Sequence, residues 1–311
     1  MKKYAIGVDV GGTSVKMGLF TLEGNIQKKW EVRTRKENGG EFILSDIAAS
    51  IRKELGEENI DLEEVSGVGI GVPGPVNEEG FVEVCVNLGW KKMWPANVLS
   101  PMLGGIPVKV GNDANVAALG EQWLGSGRGA ESLVMLTLGT GVGGGIILNG
   151  RMIAGRRGLG GELGHMTVNP DETRTCNCGN RGCLEQYGSA TGVTTIAAKL
   201  LEEHDEPSSL RGHRNSAKEV FDAAKAGDAL AIQAAETLGN YLGLAMANMS
   251  LAVDPDMFVI GGGVSKAGEY LREIIERHYH EHMHLSEKYA EVTLATLGND
   301  AGICGAARLV L

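Results

Sequence analysis

Short apolar runs, each closed by a glycine-rich turn, give way along this chain to longer stretches of helical periodicity. Tyr4–Val10 is apolar and breaks at Asp9-Val10-Gly11-Gly12-Thr13; residues 15–21 resume the run, Glu23-Gly24-Asn25 turns, and Ile26–Arg33 continues. That order reads as a β-meander opening with a glycine turn. A weaker copy follows. Leu133–Leu138 is strand-like, Gly139-Thr140-Gly141-Val142-Gly143-Gly144-Gly145 forms a glycine turn, 146–148 is strand-like again, and Asn149-Gly150 signals a hairpin. Two strand–turn–strand units suggest a duplicated core with a cleft between its halves. Hairpins with glycine turns are common enough for chance similarity to stand as the alternative.

Between these units, 41–55 carries helical periodicity, and 65–71 is an apolar strand ending in the rigid turn Val72-Pro73-Gly74-Pro75. A strand over 108–110 runs into Gly111-Asn112-Asp113-Ala114-Asn115, where a helix over 114–123 begins. Ala190–Glu203, 217–226 and Ala229–Val253 read as helices, and the polar loop at 207–215 between the first two has no functional reading. A strand over 257–260 closes on Gly261-Gly262-Gly263, a helix starts near Ser265, and a strand over 292–295 and a helix over 301–310 follow. This alternation predicts an α/β architecture with partly parallel sheets.

Composition narrows the function. The 311 residues suffice for two domains or one large one, and 43% hydrophobic with 22% charged residues is ordinary soluble globular usage. A formal net charge of −10 repels a nucleic-acid backbone and favours a small-molecule role. Asp9 interrupts the first apolar run too early for a signal peptide, and no run of about 20 apolar residues offers a membrane span. The 47 glycines cluster at the ends of strand-like runs, which suits backbone that must approach a ligand such as phosphate.

Four potential metal ligands crowd one segment. His165, Cys176, Cys178 and Cys183 make the three-thiol, one-imidazole inventory of a closed structural zinc site, and Gly179 and Gly182 let the backbone turn between them. A disulfide with one thiol left over competes, although nothing indicates export; the Cys-x-Cys pair is also tighter than the commoner zinc spacing. Cys85 and Cys304 read as buried thiols, and a reducing cytoplasm fits best.

The Asp9–Thr13 turn offers the amides of Gly11 and Gly12, the hydroxyl of Thr13, and a carboxylate able to hold hydrated Mg²⁺. A plain tight hairpin explains it equally well until Gly139, Thr140 and Gly141 are added, since two such turns facing each other would clamp a nucleotide's phosphates. Gly261, Gly262 and Gly263 lie at a strand end preceding a helix, where backbone can rest against a nucleobase or ribose. Asn112 and Asp113 either cap the following helix or supply, at Asp113, a general base for an attacking hydroxyl. Glu162, His165 and Glu185 would converge on a metal-fixed loop and grip vicinal hydroxyls; singly each reads as a solvated surface charge. His165 would then use one ring nitrogen for zinc and the other for ligand.

With these motifs in view, the chain resembles the ROK family (repressors, open reading frames, sugar kinases), most closely its bacterial glucokinases. The resemblance runs nearly end to end. It is carried by Asp9-Val10-Gly11-Gly12-Thr13, Gly71-Val72-Pro73-Gly74-Pro75, Asn87-Leu88-Gly89-Trp90 and Asn112-Asp113-Ala114-Asn115, with Leu138-Gly139-Thr140-Gly141 and Gly161-Glu162-Leu163-Gly164-His165. Cys176-Asn177-Cys178-Gly179-Asn180-Arg181-Gly182-Cys183-Leu184-Glu185 is the most specific signature, and Gly261-Gly262-Gly263-Val264-Ser265 completes the set.

The resemblance implies an actin-like, hexokinase-like (ribonuclease H-like) ATPase fold of two α/β lobes around a cleft. The lobes would span 1–111, with a returning terminal helix over 301–311, and 112–300, with the zinc loop. It further implies that the first two glycine turns hold ATP phosphates and the third lies by the adenosine. Asp113 would be the catalytic base, and Asn87, Asn112, Glu162, His165 and Glu185 would bind sugar.

The expected reaction is transfer from Mg-ATP to the 6-hydroxyl of glucose, with structural Zn²⁺ outside the chemistry, in a cytoplasmic homodimer that binds neither nucleic acid nor membrane. N-acetylmannosamine, N-acetylglucosamine, fructose or allose are alternative substrates. The family's sugar-responsive repressors, which carry an added helix-turn-helix domain, are the alternative of a different class. A sugar sensor without catalysis would need a damaged base or phosphate turn, and Asp9, Thr13 and Asp113 are all present.

Overall fold

The computed structural model describes all 311 residues. β1 (Tyr4–Val10), β2 (Ser14–Thr21) and β3 (Ile26–Arg33) pair antiparallel in succession, as the opening pattern predicts. β3 shows alternating exposure because it is the sheet edge, whereas β1 is buried along nearly its whole length. Next come α1 (Glu37–Gly40), α2 (Ile43–Glu57), β4 (Val65–Val72), a hairpin of β5 (Val82–Cys85) and β6 (Trp90–Met93), then α3 (Pro95–Met102), β7 (Val108–Asn112) and α4 (Asp113–Leu124). β4 runs parallel to β1 and β7 parallel to β4, giving the order β3-β2-β1-β4-β7. The stripe Ile43, Ile47, Ile51 and Leu55 turns one face of α2 into the core that includes Val8, Met17, Val68 and Ile70.

The order then repeats. β8 (Leu133–Leu138), β9 (Val142–Leu148) and β10 (Arg151–Met152) come first. They are followed by α5 (Glu185–Gly188), α6 (Ala190–Glu203), α7 (Ala217–Lys225) and α8 (Ala229–Val253). β11 (Met257–Gly261), α9 (Glu269–His282), β12 (Glu291–Leu294) and α10 (Ala301–Arg308) complete the chain. The second sheet runs β10-β9-β8-β11-β12, so in both sheets the third, second, first, fourth and fifth strands lie side by side. Topology thus supports duplication over chance similarity.

Two compact units result, one of Met1–Ala130, Gly145–Gly161 and Leu297–Leu311, the other of Glu131–Gly144 and Glu162–Thr296. The boundary expected after Gly111 differs from this division, which keeps α4 in the first unit. Glycine contacts with α10 are the reason: a Cβ on Gly305 would sit 1.7 Å from the Val116 carbonyl oxygen, and one on Gly120 2.3 Å from that of Ala301. α10 presses equally hard on the sheet, since a Cβ on Gly69 of β4 would lie 1.7 Å from the Ala306 oxygen. No helix is long and apolar enough to cross a membrane.

Candidate active site and metal centre

In the first unit, Asp113 is the first residue of α4 and Asn112 its N-cap. Asn112 Oδ1 accepts from the amides of Ala114 and Asn115, both at 3.0 Å, while Nδ2 donates to the Gly74 carbonyl at 3.0 Å. Capping therefore occupies most of this amide and leaves one N–H for a hydroxyl. Asp113 Oδ1 accepts the Ala114 amide at 2.8 Å, which orients the half-buried carboxylate. Of the two readings of Asn112-Asp113, capping falls to Asn112.

Gly74, at φ +91°, brings the β5–β6 hairpin to this place, because a Cβ there would stand 3.1 Å from the Val84 oxygen. Asn87 is exposed on the hairpin, whereas Leu88 and Trp90 are buried and Trp90 Nε1 donates to the Gly40 carbonyl at 3.2 Å. Burial pushes the Cys85 thiol up and the Asp113 charge adds to the effect, so Cys85 lies within electrostatic reach of Asp113.

Burial also raises the Asp9 carboxyl, against the opposing charge of Lys16, its cross-strand partner. Gly302 of α10 gives that carboxylate its room: a Cβ there would be 2.8 Å from Asp9 Cγ. The Gly11 amide is spent inside the turn on the Ser14 oxygen at 3.0 Å. Thr34 anchors the turn, its hydroxyl donating to Gly11 O at 2.7 Å and its amide to Thr13 O at 2.9 Å. Gly12, Thr13 and the Thr13 hydroxyl therefore remain for an anion, and Gly11 contributes shape rather than a donor.

In the second unit, the Gly139 carbonyl accepts the amide of Ala190, first residue of α6, at 2.8 Å, and the Gly139 amide donates to Gly141 O at 3.0 Å. Thr140 is exposed on the same turn. Gly262, at φ +85°, lies so near β8 that a Cβ would meet the Leu138 oxygen at 2.5 Å, so the second and third glycine turns are neighbours. Gly261 pairs with Thr137 in the parallel β8–β11 register, and Gly263 precedes a 3-10 turn over Val264–Ala267. A pocket of about 500 Å³ opens along α6 between Thr191 and Leu201 and is walled by Leu210–Asn215. The polar loop is ordered by Arg211, whose guanidinium donates to the carbonyls of Leu201, His204 and Glu206.

Glu162, His165 and Glu185 do meet. His165 Nε2 is 3.9 Å from Glu162 Oε2, and Nδ1 is 3.8 Å from Glu185 Oε1. Gly164 seats this turn on β9, since a Cβ would lie 1.9 Å from the Val142 oxygen. The ligand atoms of His165, Cys176, Cys178 and Cys183 lie within 4.8 Å of one another. Cys178 Sγ is 3.4 Å from Cys176 Sγ and 3.6 Å from Cys183 Sγ, while Cys176 Sγ is 3.8 Å from His165 Nδ1.

Tetrahedral zinc with Zn–S bonds of about 2.3 Å places its sulfurs roughly 3.8 Å apart, so the four groups fit this ion. A disulfide at about 2.05 Å does not match these separations. Burial pushes the Cys176 and Cys183 thiols up, whereas the Asn180 amide draws Cys178 down; a bound cation would hold all three as thiolates.

A second tether escaped the sequence reading. The Tyr187 hydroxyl donates to Glu172 Oε2 at 2.6 Å and accepts from Asn169 Nδ2 at 2.8 Å, with its ring 4.0 Å from that of Tyr241. Arg174 lies 2.5 Å from the same Glu172 oxygen and holds that carboxyl down to about 2. Residues 169–187 are thereby fastened to α8 independently of the thiols.

The model of the ROK family matches residues 5–311. The chain is 43% identical to a glucokinase of Halalkalibacterium halodurans over 99% of its own length and 95% of the relative's. It is 38% identical to a glucokinase of Thermotoga maritima over 99% and 98%. The crystal structure of a ROK family glucokinase from Streptomyces griseus, in complex with glucose and AMPPNP, aligns at TM-score 0.76 and 34% identity over 98% of both chains.

Proposed function

The chain belongs to the ROK family and has the actin-like, hexokinase-like two-lobe fold, and we propose that it transfers the γ-phosphoryl group of ATP to the 6-hydroxyl of glucose. The observation that carries this reading is end-to-end similarity to glucokinases in a chain that retains Asp113 at the head of α4. The products are glucose 6-phosphate and ADP.

Glucose is held by the exposed Asn87, the remaining N–H of Asn112, and Glu162, His165 and Glu185. Asp113 accepts the proton of the 6-hydroxyl while its oxygen bonds to phosphorus and the bond to the ADP oxygen breaks. Such transition states are loose, so positioning and charge neutralisation outweigh covalent assistance. The Gly12 and Thr13 donors and the Gly139–Gly141 turn bind phosphate oxygens. Gly261–Gly263 and the pocket along α6, whose first residue is bonded to Gly139, receive the nucleoside.

Asp9 is the residue that would hold Mg²⁺, which when bound neutralises charge across the β–γ bridge. His165 Nδ1, Cys176, Cys178 and Cys183 would hold zinc as a structural ion, leaving His165 Nε2 for the sugar. A coupled ADP-release assay over a panel of hexoses tests the function. Glucose should give the highest kcat/KM; a higher value for an N-acetylhexosamine would replace glucose as substrate while keeping the reaction.

A further inference from the structure

The chain passes between its two units at four points, after Ala130, Gly144, Gly161 and Thr296. Beside every one of them, the first-unit side of the connection is fastened to α4. Gln122 Nε2 donates to the Ala130 carbonyl at 3.0 Å. Gly145 packs on the helix so closely that a Cβ would stand 2.6 Å from Ala118 Cβ and 3.0 Å from the Ala114 oxygen. Asn115 Nδ2 donates to the Gly160 carbonyl at 2.8 Å, and a Cβ on Gly161, at φ +92°, would lie 2.5 Å from Asn115 Oδ1. Glu121 accepts the Leu297 amide on Oε1 at 2.8 Å and the Ser126 amide on Oε2 at 2.9 Å.

Core filling does not explain this choice of residues. Asn115 and Glu121 are both buried polar side chains, with Glu121 fully out of solvent. Apolar residues would fill the same space without the desolvation cost. Asn115 keeps its bond to Gly160 although its own buried Oδ1 has no partner. Asn115, Ala118 and Gln122 recur at three- and four-residue spacing, so they share one helix face, and Glu121 flanks it.

We propose that α4 is the shaft to which all four connections are clamped, and that Asn115, Glu121 and Gln122 are positioning residues for Asp113 at its first turn. They act through the helix and touch neither sugar nor phosphate. Any shift of a connection reaches Asp113 through α4, and any slackness at the clamps loosens the carboxylate. The inference rests on reading Asp113 as the base.

The test is a kinetic and binding comparison of Asn115→Asp and Gln122→Met in the full-length chain. Asn115→Asp replaces the donor facing Gly160 O with an acceptor, and Gln122→Met removes the donor facing Ala130 O at a half-buried position while keeping the length of the side chain. Misplacement of a reacting group by about 1 Å can cost a hundredfold, so a loosened clamp should lower kcat by about tenfold. The glucose dissociation constant from calorimetry should stay within about twofold, a split that general loss of stability would not produce. Variants that melt at lower temperature yet turn over normally when folded would overturn the inference.

Should Asn115→Asp not fold, Gln122→Met decides alone by the same criterion. Turnover retained in Asp113→Asn would remove the base and the positioning role that rests on it, whereas turnover lost in Asp113→Asn but retained in the clamp variants would remove the positioning role alone.

Discussion

Glu185 Oε1 lies 2.9 Å from Cys176 Sγ and 3.8 Å from His165 Nδ1, so one carboxylate touches two of the four groups that fit a zinc ion. Its other oxygen is the nearest atom to a Cβ built on Gly141, at 2.4 Å. The thiol cluster, the Glu185 carboxylate and the second glycine turn are therefore parts of one packed assembly. If these groups hold zinc and Glu185 binds sugar as proposed, disturbing the metal should be felt at the sugar first.

Cys183→Ser tests that order. Metal analysis should find about one zinc per parent chain and much less in the variant. Groups that merely orient metal ligands are typically worth about 10–100-fold, so losing a ligand should lower kcat/KM for glucose by about tenfold or more, with a smaller change in KM for ATP. A zinc-free preparation with full activity and unchanged melting temperature would contradict the role given to the metal.

The Glu172 carboxyl has a direction of pH dependence that can be read in advance. Arg174, then Tyr187, lower it from 4.5 to about 2 in the folded chain. A depressed folded-state value stabilises the fold above the unfolded value, and that contribution disappears as pH falls from about 4.5 towards 2. Denaturation midpoints of the parent and Glu172→Gln should differ by a constant amount above about pH 5.5 and converge below it. A difference that does not change with pH would remove the ion pair as a stabilising element.

Gly305→Ala probes the crossing of α10 with α4. Its methyl would fall 1.7 Å from the Val116 carbonyl oxygen, where backbone and not a flexible side chain must move. Overpacking of this kind costs about 1–3 kcal/mol, read as a lower urea midpoint at unchanged slope. Gly12→Ala is the control, because nothing lies within 4 Å of a Cβ at that position. Equal stability of the two variants would show that the helices are not in the close contact described.

Much of the site was legible because its signals are local. The glycine turns at Gly11-Gly12 and Gly139–Gly141 interrupt apolar strands, and four side chains able to ligate a metal crowd into 19 residues from His165 to Cys183. What stayed hidden depends on distant partners or on short elements. The strands of the β5–β6 hairpin have four residues each, too few to show a period, although Asn87 and Trp90 lie on that hairpin. Gly143–Gly145 reads as turn but continues β9, because Gly145 is there to let α4 approach. α9 begins at Glu269 rather than near Ser265, after Gly268 at φ +73° ends the 3-10 turn. The Tyr187–Glu172 tether joins residues fifteen apart through a loop that has no periodicity.

The central claim is that Asp113 takes the proton of the sugar hydroxyl. Asp113→Asn keeps the size of the side chain and one acceptor for the Ala114 amide, so α4 should form unchanged. Its kcat with glucose and ATP, measured beside the glucose dissociation constant from calorimetry, tests the claim most directly. General-base catalysis is worth about 10²–10⁴-fold, so kcat should fall by that factor while glucose binding stays within about threefold. Turnover within about tenfold of the parent, or loss of glucose binding with kcat preserved at saturation, would contradict it.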